Sequence, residues 1–263
     1  MLCLHNLLLV LSGRQDNARL QREKLLRDYP LNATLWWLNW FDGRSESALA
    51  QWRGLCQGRD VNALMTAGQL INWGMPALAA EMLNALDCQR TLPLYLQASL
   101  LPKAERGELV VKAIDAFPQF VRFPNTLEEV AALESIEECW FARHLLACFY
   151  YNKRSYGKAI ALWQRCVEMS PEFADGWRGL AIHAWNKQHD YELAARYLDN
   201  AYQLAPQDAR LLFERDLLDK LSGVTPEKRL ARLENNLEIA LKRDDMTAEL
   251  LNLWHLTGQA DKA

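Results

Sequence analysis

No apolar run in this chain of 263 residues approaches the ~20 residues a membrane-spanning helix needs. The start, Met1 to Leu11, is largely apolar, yet it has no charged leading region. No small-residue cleavage site follows either, since the next residues are Ser12-Gly13-Arg14-Gln15. Charge of one sign is also missing: 30 Lys and Arg stand against 33 Asp and Glu, a net −3, so no basic field draws nucleic acid. Lys228-Arg229, Arg232 and Lys242-Arg243 lie beside Glu227, Glu234 and Asp244-Asp245, which makes mixed solvated helix faces. The six cysteines (Cys3, Cys56, Cys88, Cys139, Cys148, Cys166) include no C-x-x-C pair and are expected as free buried thiols. No segment alternates as a strand would. The chain is expected to be cytoplasmic, without cofactor, metal, nucleic-acid or membrane partner.

What is there is helical periodicity, repeated. Trp140 to Pro171 and Ala174 to Pro206 match: Tyr151-Asn152-Lys153 falls 34 residues before Trp185-Asn186-Lys187. The spacing from Pro171 to Pro206 is 35, which one extra residue in the Gln188-His189-Asp190 turn explains. Small residues recur where paired helices cross: Ala147, Ala159 and Cys166, then Ala181, Ala194 and Ala201. Large ones fill between them: Leu146, Tyr150 and Trp163, then Leu180, Trp177 and Leu198. Each proline stops a second helix because it cannot donate to the ladder, and Ser170 and Ala205 before it turn the chain onward.

A period of 34 with a closing proline is the tetratricopeptide signature. The expected fold is all-α, a right-handed superhelical solenoid of antiparallel helix hairpins. Residues 1–120 fit degenerate hairpins: a first helix over 2–11, a turn at Gly13, a stop at Pro30, and Asn32 capping the Trp36-Trp37-Trp40 helix. Further helices are predicted over 45–56, 60–72, 75–86, 92–101 and 104–117. Residues 121–263 hold the clearer repeats. Thr126-Leu127-Glu128-Glu129 has the form of a capping box. Thr225-Pro226 opens a helix over 226–240, and the last helix runs over 244–256. That last helix lacks a pairing partner in the repeat pattern, so Leu250, Leu253 and Trp254 are expected in water. This predicts a fragment of a longer protein whose terminal helix frays or self-associates through the uncapped end.

From Phe123-Pro124 onward the chain resembles the tail of a family of large bacterial tetratricopeptide-repeat proteins whose N-terminal half is a β-rich domain. Leu127-Glu128-Glu129, Tyr151-Asn152-Lys153-Arg154, Ala159-Ile160-Ala161-Leu162-Trp163, Asp208-Ala209-Arg210-Leu211-Leu212 and Arg243-Asp244-Asp245-Met246-Thr247 carry the likeness. The sequence departs from that pattern at Leu100-Leu101-Pro102, where a hairpin is shortened. The β-rich half resembles carbohydrate-active enzymes; no part of it is present, so its chemistry does not transfer.

His144 and Cys148 share a helix face. A metal needs two further ligands, and a nucleophile needs an oriented base and an oxyanion site; neither pattern is offered, and a packed or groove-lining pair is expected. Ten tryptophans raise the possibility of a stacking platform. The repeat positions instead predict core for Trp36, Trp37, Trp40, Trp52, Trp73, Trp163 and Trp177, with Trp185 facing a groove. Lys153 and Lys187 suit the ends of first helices, where they favour the helix dipole. The carboxylate clamp of some tetratricopeptide proteins is absent, since its positions hold His144, Cys148 and Ile182. The groove is expected to include His144, Tyr151, Arg178 and Trp185. The function this predicts is a non-catalytic protein-interaction scaffold for a protein or peptide; the alternative is an α-helical module in carbohydrate processing.

Overall fold

The computed structural model describes residues 2–57, 59–87, 89–116 and 122–262, all-helical with no strand among them. Cys88 and the predicted helix end at 117 lie outside the described residues. The chain forms two compact units, Met1–Cys139 and Trp140–Ala263.

The first unit contains α1 (Leu2–Leu11), α2 (Gln15–Asp28), α3 (Ala33–Gly43), α4 (Glu46–Cys56), α5 (Asp60–Asn72), α6 (Pro76–Leu86), α7 (Thr91–Ser99), α8 (Gly107–Asp115) and α9 (Leu127–Glu134). α1 pairs with α2, α3 with α4, α5 with α6 and α7 with α8. Trp37, Leu38, Trp52, Leu70, Met82 and Tyr95 fill its interior. A buried polar knot ties the first hairpin to α3: Arg22, 2% exposed, reaches Asn6, Asn39 and Asp42. The predicted caps form. Asn32 accepts from the Leu35 amide, and Thr126 and Glu129 close a full capping box. The shortened hairpin at Leu100–Pro102 is stitched by one side chain, Arg106, which donates to the carbonyls of Ser99, Leu101 and Ser135. Within this unit α9 packs on α5 and α7.

The second unit contains α10 (Trp140–Asn152), α11 (Tyr156–Met169), α12 (Ala174–His183), α13 (Tyr191–Leu204), α14 (Ala209–Leu221), α15 (Pro226–Glu234), α16 (Leu237–Ala240) and α17 (Asp244–Leu256). α10 pairs with α11 and α12 with α13. The small residues sit at the crossings as their spacing requires: Ala147, Ala159, Cys166, Ala194 and Ala201 are all 0% exposed.

Two local devices recur and make the repeat. Between hairpins, Tyr29, Ser170 and Ala205 each leave their helix at φ near −140° ahead of a proline, with ψ of 65°, 81° and 65°. Three residues on, Asn32, Phe173 and Asp208 enter the next helix at ψ of 106°, 100° and 101°, and each amide donates back across the proline at 3.0–3.2 Å. Within hairpins, Gly13, Gly74, Arg154, Gly223 and Gly258 take the left-handed conformation. The amide after each donates to a carbonyl five residues back, which closes the helix end.

The extra residue between Pro171 and Pro206 is not in the loop. It is taken up one turn earlier, where α12 runs on as a π-helical turn over Ala184–Gln188. The Asp190 amide then reaches Ala184, six residues back instead of five.

Three further sequence expectations need correction. The helix predicted over 226–240 breaks at Asn235-Asn236: Asn236 donates to the Arg232 carbonyl and accepts from the Tyr202 hydroxyl, bonds that compete with the helix ladder. Trp36, Trp73 and Trp177 are half-buried and not core. Trp36 and Trp177 each donate the indole N–H at 2.8 Å to the carbonyl of the proline six residues earlier, so both staple the same inter-hairpin turn. The apolar face of α17 is not in water either. Met246, Leu250 and Leu253 join Leu230, Leu233 and Ile239 in one core, and Trp254, half-buried, donates to Glu234. Self-association through that face therefore loses the apolar surface that motivated it.

Candidate functional site: the first-helix face of the second unit

Helices α10, α12 and α14 are the first helices of successive hairpins and present a continuous row of polar and aromatic side chains. Arg178 of α12 clasps the Glu214 carboxylate of α14 with two nitrogens, at 2.5–3.0 Å. Arg210 of α14 returns the link, binding Asp175 of α12 at 2.8 Å and Asp208 at 2.9 Å. The row is thus charge-compensated along its length.

His144 lies at the α10 end of this row. It stacks on Phe141 and meets Phe173 edge-on, and its Nε2 sits 3.6 Å from Cys148 Sγ. Burial pushes the imidazole down to about 4; Asp175 opposes that shift, while Arg178 and Arg210 add to it. Burial pushes the Cys148 thiol up to about 12. Near neutral pH the pair is therefore thiol and neutral imidazole, the opposite of an activated thiolate. No group of three metal-ligating side chains occurs among the described residues.

Tyr151 and Trp185 occupy the same repeat position and end up differently. Tyr151 is wedged between Tyr156, Trp163 and His183. Lys187 rests over the Tyr156 ring and Lys153 over Phe149, so both lysines are held by aromatic faces as well as by helix ends. Trp185 stands on the π-helical turn and walls a hollow of about 380 Å³ with Ile182, Asn186, Leu198, Phe213, Glu214 and Leu217. That volume is at the small end of the range for ligand pockets. Of these wall residues only Leu198 is fully buried.

Of the four residues singled out from sequence, His144 and Arg178 face one charged cluster, and Arg178 reaches the hollow beside Trp185 through Glu214. Tyr151 belongs to the aromatic cluster of Tyr156, Trp163 and His183, with Asn186 of the hollow's wall beside its hydroxyl. Sequence reading missed Asp175, Arg210, Glu214 and Phe213. For Asp175 and Arg210 the signal was available as opposite charge at matched positions of successive first helices. A second hollow, about 470 Å³, lies in the first unit between the ends of α4 and α6, but its Arg53 is spent on the Ala85 carbonyl.

No family model matches the chain. Similar solved structures include a chain of the APC/C hetero-tetramer Cut9-Hcn1, with 15% identity over 95% of this chain and 48% of that one, TM-score 0.44. Another is the P58(IPK) TPR domain, with 17% identity over 93% of this chain and 66% of that one, TM-score 0.42. MamA 41-end from Desulfovibrio magneticus RS-1 follows, with 14% identity over 69% and 95%, TM-score 0.40. The chain spans about half the length of the first of these and 66% of the second. Its assignment to tetratricopeptide-like hairpins rests on its own helix pairing and turn geometry. No helix among the described residues is long and apolar enough to cross a membrane.

Proposed function

We propose that the chain is a protein-interaction scaffold of the right-handed tetratricopeptide kind, and that the α10–α12–α14 face takes a peptide segment of a protein partner. The observation that carries this reading is a charge-compensated polar row, Asp175–Arg210 and Arg178–Glu214, running beside a half-exposed aromatic hollow. Such a surface offers hydrogen bonds to a peptide backbone and an apolar site for one side chain, with no activated group to do chemistry. The resemblance of residues from Phe123 onward to the tail of larger bacterial repeat proteins supports reading it as a module that works beside other domains.

The test is panning of a random peptide display library on the full chain. A consensus should be enriched that is lost with Trp185→Ser/Phe213→Ser and kept with Arg165→Glu on the exposed side of α11. No consensus, or one indifferent to the groove variant, overturns the reading.

A further inference from the structure

The hollow beside Trp185 has a filled counterpart within the same unit. Trp163 of α11 lies one repeat before Leu198 of α13, 35 residues apart in the same register as Ala159 and Ala194. The Trp163 indole sits against Tyr151, ring centroids 5.4 Å apart, and packs with Cys148. It also lies on Gly179 so closely that an added Cβ there would be 2.7 Å from the indole Nε1, and closer still to the ring carbons. One repeat on, Tyr151, Cys148 and Gly179 become Trp185, Ile182 and Glu214. Those three line the hollow, with Leu198 as its floor. The hollow is therefore the slot an indole fills at the preceding junction, left open where leucine replaces tryptophan.

We propose that this slot takes the aromatic side chain of a partner peptide, an indole for preference, in the place Trp163 holds one repeat earlier. The inference rests on the groove reading above and adds the chemistry of the residue captured. Ile182, Trp185, Phe213 and Leu217 supply apolar and aromatic walls suited to a flat ring. Glu214, whose two oxygens already accept from Arg178, keeps acceptor capacity for an indole N–H because each carboxylate oxygen has a second lone pair. The chain itself makes such a bond elsewhere, from Trp254 Nε1 to Glu234 at 2.9 Å. The slot opens to the groove because its walls, Leu198 apart, are half-buried or, at Asn186, exposed.

The test is nitrogen-15 NMR titration of the full chain with N-acetyl-tryptophanamide, and in parallel with N-acetyl-leucinamide. The tryptophan amide should give saturable shifts confined to 182–186, Leu198, 213–217 and the Trp185 indole, with the leucine amide at least about fivefold weaker. Leu198→Trp/Glu214→Gly rebuilds the Trp163–Gly179 pair in the slot and should abolish these shifts. Leu198→Phe fills part of the slot without touching Glu214 and should weaken binding at least about threefold, which decides the matter if the double variant melts early. Shifts absent from the slot, equal for the two amides, or unchanged in the filled variants overturn the proposal. A display consensus that depends on the groove but lacks an aromatic residue overturns it too, while leaving the groove reading in place.

Discussion

At the α10–α12 junction a tryptophan from the second helix is driven between two first helices; at the α12–α14 junction a leucine comes from the same position and leaves space. The backbone devices at the two junctions are the same: a pre-proline exit, a turn bond across the proline, and an extended entry to the next helix. What differs is one large residue and the residue it faces, Trp163 on Gly179 against Leu198 beside Glu214. Repeat geometry is therefore fixed by turns and small crossings, and whether a junction is closed core or open site is fixed by the side chain sent into it.

The largest expected effect separates the two junctions directly. Trp163→Ala should cost about 3–5 kcal/mol, since it empties a filled slot, while Leu198→Ala should fall near about 2 kcal/mol because its slot is already open on one side. Urea denaturation of both variants checks this. Equal losses would break the comparison.

Next comes His144, which belongs to the closed junction. Its neutral imidazole titrates near 4 in the folded protein, against ~6.5 when unfolded. Between those values the unfolded chain binds a proton that the folded chain refuses, so stability is full above ~6.5 and declines as pH falls toward 4, by about 3 kcal/mol in all. His144→Phe keeps the aromatic stack on Phe141 and Phe173 and should lose that slope. Asp175, Arg178, Arg210 and Cys148, which face the ring, remain in both proteins, so the difference between their denaturation midpoints at pH 7 and pH 4.5 isolates the imidazole. A midpoint difference between the two proteins that is the same at both pH values would mean His144 is not shielded.

Gly179→Ala should cost about 1–3 kcal/mol, because the added methyl displaces the Trp163 indole from its seat. Thermal melts compared with Gly157→Ala, where an added Cβ meets nothing, would sharpen the contrast. A loss no larger than the control's would place the indole elsewhere.

The smallest effect tests whether the two units share one linker. Trp36→Phe and Trp177→Phe each remove an indole bond to a proline carbonyl and should each cost about 1 kcal/mol. Unequal losses in chevron analysis of the two variants would mean the likeness between the turns after Tyr29 and Ser170 is only geometric.

Much of the fold was legible because it is local. Pro30, Pro171 and Pro206 with the left-handed turns at Gly13, Gly74 and Gly258 mark the ends of helices by backbone sterics alone. Asn32 and Thr126 mark starts by the bonds their side chains make. Ala159 and Ala194 announce close crossings because nothing larger fits there. The tryptophans were less legible, since an indole in a repeat position reads as core until its N–H finds a partner. Trp36 and Trp177 found the linker carbonyl and stayed half in solvent. The break at Asn236 was equally hidden, because it depends on Tyr202 from another helix.

By itself the sequence determined an all-helical chain of hairpins with a 34-residue period, the proline and glycine stops that end several of its helices, and which small residues mark the crossings. Those properties depend on φ, capping and steric volume within a few residues. Only the tertiary structure decided that the inserted residue becomes a π-helical turn carrying Trp185, that the last helix is covered, and that Leu198 leaves a slot where Trp163 fills one. Each of these is settled by what a neighbouring helix brings to the same place, and that is a property of packing between segments, which no single segment encodes.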